Sequence, residues 1–230
     1  MNWVSRGTLL ACCFAVFAAA PHAASGFSTS VSATAGAAAM GSSVDTDVVD
    51  IAFGAASCAI QSGKIARPTT LTVIDYSKPS TAKRLWVFDA VTRELLYEEL
   101  VAHGQGTGDN LATLFSNEAE THRSSIGLFV TGETYTGRNG YSLRLDGLDA
   151  GFNDNARARA IVVHGAPYVN TEFAAAHGRL GRSWGCPAVS DAVARSLIDR
   201  IKGGGLVFAY YPDQRWLQTS PYVGGCGIVR

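Results

Sequence analysis

The chain has 230 residues, 47% hydrophobic and 17% charged, enough apolar content for one globular domain of fair size. Its 19 basic and 19 acidic side chains cancel, and no Lys/Arg run is interleaved with aromatics, which argues against a nucleic-acid partner. Low charge with 25 glycines suggests a compact, turn-rich fold and not a long-helix protein.

The first segment reads as an export signal, residues 1–25. Arg6 supplies a positive n-region and residues 7–20 an apolar core, too short for a comfortable membrane span. Cleavage is expected between Ala20 and Gly26. Leu9-Leu10-Ala11-Cys12 resembles a lipoprotein box, but the apolar run continues past Cys12, so lipidation is rejected. The mature protein is therefore expected to be periplasmic or secreted, with no stable membrane anchor. Residues 26–43, rich in Ala, Ser and Gly, read as a flexible leader.

Cleavage would leave three cysteines, Cys58, Cys186 and Cys226. The number is odd, so in an oxidising compartment one thiol stays free or pairs between chains. A Cys58–Cys226 disulfide with Cys186 free is the economical arrangement.

A domain is expected over 44–230. A helical pattern runs from Val44 through Val48, Ile51, Ala52, Ala55 and Ala59 to Ser62-Gly63. Short β-type runs follow at 71–75, 85–89 and 95–101, with 89–93 as the loop between the last two. Residues 103–108, His-Gly-Gln-Gly-Thr-Gly, lack the Lys-Ser/Thr of a phosphate cradle and read as a mobile loop near the site. Runs 124–135 and 141–145 flank Arg138-Asn139-Gly140, and Asn-Gly is a strong hairpin signal. Asn153-Asp154-Asn155 marks a turn, without the glycine and distal glutamate of a calcium loop.

A strand at 160–163 delivers His164-Gly165, and a short helix at 171–176 stops at Gly178. Ser190-Asp191 reads as the cap of a helix carrying Val193, Leu197 and Ile201 on one face. Three glycines, 203–205, end it before a final strand at 206–211. Seven or eight strands with two or three helices make a mainly β fold with helical additions, an α+β class.

The chemistry is expected at His164 and, twenty-two residues later, Cys186 within Gly181-Arg-Ser-Trp-Gly-Cys-Pro. A thiol needs a base to become a good nucleophile near neutral pH, and a nearby histidine is the usual one. The helix after Cys186 turns its positive end toward a thiolate or a developing oxyanion. Pro187 has no N–H, so oxyanion donors must come from Trp184, Gly185, Cys186 or elsewhere. Gly181-Arg-Ser-Trp-Gly185 also fits G-x-S-x-G, which would make Ser183 the nucleophile. That arrangement expects a strand before the serine and a histidine after it, and all five histidines lie upstream. A zinc hydrolase would need a ligand spacing such as H-E-x-x-H or C-x-x-C, which is absent. His103, His122 and His177 read as solvated or loop histidines.

The combination of His164-Gly165 with Gly-Arg-Ser-Trp-Gly-Cys186-Pro resembles the YkuD-like L,D-transpeptidase catalytic domain, over about 71–213. It is most similar to a proteobacterial branch in which the cysteine precedes Pro-Ala and SSIGLFVTGETYTGRNGYSLRLDGL stands upstream. The resemblance implies a β-sandwich-like fold and an exported enzyme acting on peptidoglycan stem peptides, with no metal or organic cofactor. It puts the nucleophile at Cys186, the base at His164, and the motif serine and glycine at Ser183 and Gly185. The Gly165 carbonyl is the candidate orienter of the histidine. The family's commoner motif continues aliphatic-Arg after the cysteine, where this chain has Pro187-Ala188. Arg182 is a candidate to contact a substrate carboxylate instead, with a loop-tying role the competing reading. Trp184 and Tyr168 are candidate cleft residues. Transfer to a second stem amine, transfer to water (an L,D-carboxypeptidase), and a non-catalytic peptidoglycan-binding module remain the alternatives. The oligomeric state is not legible.

Overall fold

The structure, a computed structural model, describes residues 44–224 and Cys226. The expected signal and leader, 1–25 and 26–43, lie outside the described residues. In chain order the elements are α1 (Thr46–Gln61), β1 (Thr70–Asp75), β2 (Leu85–Asp89), β3 (Leu95–Glu99), β4 (Gly127–Gly137) and β5 (Gly140–Gly147). There follow β6 (Val162–Ala166), α2 (Thr171–His177), β7 (Ala188–Ser190), α3 (Asp191–Ile201), β8 (Leu206–Tyr210) and α4 (Gln214–Thr219). The strands form one mixed sheet in the order β3-β2-β1-β8-β4-β5-β6-β7. The mainly β, α+β class expected from the sequence is the class observed. Two of the pairings, β1 with β8 and β6 with β7, are parallel.

All six residues of β1 are buried, because both faces of the sheet are covered there. Leu71 and Val73 pack with Val48, Ala52, Ala55 and Ala59 of α1, while Ile74 joins a second core containing Phe129, Leu145, Val163 and Val207. Leu197, Ile198 and Ile201 of α3 close that second core. Each such aliphatic side chain contributes on the order of 1.5–3 kcal/mol on burial. Helix α1 starts where Asp45 accepts hydrogen bonds from the Asp47 and Val48 amides. Helix α2 starts at Asn170, which accepts from Phe173, and stops at Gly178 with φ +68°.

Four details differ from the sequence reading. Strand β6 runs on to Ala166, so His164 sits within it and not at its end. Ser190 occupies the cap position of α3 without a side-chain cap hydrogen bond. The β4–β5 turn carries Arg138 and Asn139 without positive φ, and Gly140 takes φ +71°. Asn-Gly thus spans the end of the turn instead of supplying both central residues. Finally, β7 and α4 were not anticipated; three and six residues are too few to show a periodicity.

Helix α4 nevertheless completes a core. Trp216 is fully buried against Phe208, ring centroids 5.5 Å apart, and its Nε1–H donates to Asp149 Oδ1 at 3.1 Å. The same carboxylate accepts from Ser220 Oγ and from the Leu128 amide. Burial pushes the Asp149 pKa up, and these donors oppose the shift. Cys58 of α1 is disulfide-bonded to Cys226, 168 residues away, and Cys186 is free among the described residues. Trp216→Ala is expected to cost about 3–5 kcal/mol, read as a lowered urea midpoint. A midpoint within error of the parent protein would mean that α4 does not close this core.

Candidate active site

Strand β6 is held on both sides, with His164 opposite Ser142 of β5 and Ala188 of β7. The His164 Nδ1 lies 2.7 Å from the Gly165 carbonyl oxygen. A neutral ring protonated at Nδ1 donates to that carbonyl and keeps its lone pair on Nε2, the tautomer a general base requires. Burial lowers the His164 pKa, opposed by the Gly165 carbonyl and the Asp191 charge. Asp191 opens α3 directly against Gly165, where a Cβ would stand 2.6 Å from its Oδ1.

The parallel register pairs His164 with Ala188. Carried back two residues, it sets Cys186 beside Val162, on the face His164 shares by strand alternation. The Val162 N–H accordingly favours the Cys186 thiolate. The thiol is buried, 7% exposed, with Sγ 3.7 Å from the Ala160 carbonyl oxygen. Burial pushes its pKa up, and the Val162 amide and Arg159 pull against it. Burial therefore favours the neutral form of both groups at rest, and the surrounding dipoles and charges favour the ion pair formed on proton transfer.

The turn before Cys186 is clamped from within. Ser183 Oγ donates to the Cys186 carbonyl at 2.6 Å and accepts from the Gly185 amide at 3.1 Å. Its only proton is thus committed, consistent with rejecting it as nucleophile. The Gly185 amide is used as well, which leaves Trp184 and Cys186 of the three expected oxyanion donors. Gly185 has φ +112°, and a Cβ there would stand 2.7 Å from the Arg123 carbonyl oxygen.

Loop 103–108 lies against this turn, with His103, Gly104 and Thr107 buried and Gln105 exposed. The Ser183 amide donates to the His103 carbonyl, and Gln105 donates back to Ser183. His103 is itself buried, not solvated: its Nδ1 faces Arg84 Nη2 at 2.8 Å and its Nε2 the Gly108 carbonyl at 3.3 Å. Burial and the adjacent Arg84 lower its pKa to about 4, so it is neutral and accepts from the arginine. Arg84 is fully buried, donates to the Val101 and Lys78 carbonyls, and lies 5.1 Å over the Tyr76 ring. Tyr76, whose pKa burial raises to about 12, bonds Ser124, which donates to the Gly185 carbonyl at 3.0 Å. Sequence reasoning missed this support, because a buried arginine bonded to backbone carbonyls leaves no pattern.

A cleft of about 430 Å³ brings together His164, Tyr168, Arg182, Ser183 and Trp184 with Arg159 and the β4–β5 hairpin tip. Tyr168 is half-buried, and desolvation raises its pKa to about 12. Arg182 lines the cleft but donates to the Gly108 carbonyl at 3.1 Å and Asp109 at 2.8 Å, which is the loop-tying arrangement and not an unpaired carboxylate receptor. Trp184 is 62% exposed and stacks on His122, centroids 4.8 Å apart. His177 stays at the end of α2, stacked on Phe173. Among the described residues no cluster of three or more His, Cys, Asp or Glu side chains is placed to hold a metal ion.

Residues 41–210 match the model of the L,D-transpeptidase catalytic domain (YkuD_2), and the chain belongs to that family. Solved structures to which it is similar include an L,D-transpeptidase from Mycobacterium smegmatis, 15% identical, over 63% of this chain and 59% of that one, TM-score 0.39. Another is the Stackebrandtia nassauensis L,D-transpeptidase, 13% identical over 64% and 58%, TM-score 0.39. A third is the helical cell shape determining protein Pgp2 (K307A mutant) from Campylobacter jejuni, 13% identical over 64% and 48%, TM-score 0.41. The chain thus covers less than two thirds of the length of each of these structures. No curated protein sequence matches it.

Gly185→Ala is expected to lower reactivity at Cys186 at least tenfold, since left-handed strain and the Arg123 carbonyl both force the turn to move. Iodoacetamide labelling of Cys186 would read it, and an unchanged rate would show that the turn tolerates a side chain. The labelling rate of the parent protein should keep rising into alkaline pH beyond the ordinary thiol range, because burial holds the folded thiol neutral. A plateau already reached near neutral pH would instead indicate a resting thiolate.

Proposed function

We propose that this chain is an exported peptidoglycan-remodelling cysteine acyltransferase, an L,D-transpeptidase acting on stem peptides. The observation that carries the reading is the buried free thiol of Cys186, entering β7 beside the strand whose His164 is fixed through Nδ1. Export through the 1–25 signal to the periplasm or beyond accords with the Cys58–Cys226 disulfide, which an oxidising compartment permits.

In the proposed reaction His164 Nε2 takes the Cys186 proton as Sγ attacks the carbonyl carbon of the stem's third residue, a diamino acid. The Sγ–C bond forms, and the C–N bond to the terminal D-Ala breaks as the imidazolium protonates the departing amine. The side-chain amine of a second stem then attacks the thioester. His164 takes its proton, the Sγ–C bond breaks, and the thiol is restored. Arg159 and the Val162 amide stabilise the sulfur anion, while the Gly165 carbonyl and Asp191 stabilise the imidazolium. No cofactor enters this scheme.

The test is incubation with disaccharide-tetrapeptides and mass spectrometry of the products, with Cys186→Ala in parallel. Cross-linked dimers that vanish in the variant are expected. Tripeptide alone would make water the acceptor. No product from tetrapeptides or intact sacculi, with sacculus binding retained by the variant, would indicate a binding module.

A further inference from the structure

The cleft holds three guanidinium groups and, among the described residues, no acidic lining side chain. Two of the three are anchored by the protein itself. Arg159 donates to the Ser116 and Arg123 carbonyls and to Ser125 Oγ, each at 2.6 Å. Arg182 is paired with Asp109. Arg138, at the tip of the β4–β5 hairpin, differs from both. It has no carboxylate or carbonyl partner among the described residues and lies 5.8 Å over the ring of Trp184. That ring is supported on its own side by His122, stacked nearly parallel at 10°. Two carboxylates near the cleft are already placed, Asp109 on Arg182 and Asp191 against Gly165.

We infer that Arg138, backed by Trp184, is the specificity-determining contact for a carboxylate of the acyl-donor peptide close to the scissile bond. The inference rests on the acyl-transfer reading above and deepens it. A guanidinium held over an indole keeps its edge N–H groups directed outward, and a carboxylate accepts two of them in parallel. Arg159, held by neutral carbonyls and a hydroxyl, adds positive potential without needing to leave its partners. Two carboxylates flank the bond to be broken, the C-terminal one of the leaving residue and any on the diamino acid side chain. Both have the chemistry the site recognises.

The experiment compares the full chain with Arg138→Gln and Arg138→Lys on three donors: the free tetrapeptide acid, its C-terminal amide, and a tetrapeptide with the diamino acid carboxylate amidated. Steady-state turnover is measured with Cys186 present, and donor binding with Cys186→Ala, by quenching of indole fluorescence. Arg138→Gln is expected to lower kcat/KM about tenfold on the free acid, mainly through KM, the order expected of one solvent-open charge-assisted contact. Arg138→Lys should recover part of the loss. On one of the two amides the parent should fall to the level of Arg138→Gln, and the substitution should then have no further effect; that amide identifies the carboxylate. If the parent turns over all donors and Arg138→Gln matches it on each, or loses the same factor on each, the subsite assignment is wrong while the acyl-transfer reading stands. If the parent neither binds nor converts any donor, the acyl-transfer reading fails and the assignment falls with it.

Discussion

The parallel pairing of β6 with β7 is the constraint from which the site follows. It is a short pairing, three residues on the β7 side, and it sets the relative position of His164 and Cys186. A strand of three residues holds its register only if its flanks are fixed. The Ala102 amide donates to the Ala188 carbonyl at 2.8 Å and covers the outer edge of β7. Ala102, Ala166, Val169, Leu180 and Ala188 form a small apolar cluster around it. Upstream, the Ser183 clamp and the Ser124 hydrogen bond to Gly185 fix the approach of the chain to Cys186. A one-residue slip would turn the thiol to the opposite face of the sheet.

Electrostatically, the site disfavours a resting charge pair. Burial raises the thiol pKa and lowers the imidazole pKa, so the resting pair avoids two desolvated charges. The counter-groups are in place before any proton moves, which is the sense in which such a site is preorganised. His103 lies in the wall of the same turn yet does not act as a rival base. Arg84 points at its Nδ1 and burial holds its pKa near 4, so its accessible nitrogen is occupied and the ring stays neutral.

Much of this was legible in the residues. The helix from Val44, the first two strands, and the hairpin around Arg138-Asn139-Gly140 follow from periodicity and turn chemistry over segments long enough to show them. The family resemblance rested on His164-Gly165 and the glycine-rich turn, and the family model covers that whole span. What the sequence hid was of two kinds. Strand β7 and helix α4 are too short to repeat a period recognisably, and they are received by Ala102, Asp149 and Phe208. Arg84 and Arg159 are held by backbone carbonyls from other segments, and a carbonyl leaves no mark on residue identity. Arg182 was ambiguous between substrate and loop until Asp109, seventy-three residues away, was seen to lie beside it.

The bond between Cys58 and Cys226 makes the enclosed chain a covalent ring of which every strand of the sheet is a part. A single cleavage in any loop within that ring produces two new ends but not two molecules. The nicked protein would migrate as one species until reduced, then separate into fragments that map the cut. The ring also shortens the reach of the unfolded chain, by a loop-closure entropy worth about 5 kcal/mol in the simplest chain model. In any compartment where the bond persists, the ring confers tolerance of damage to the chain itself.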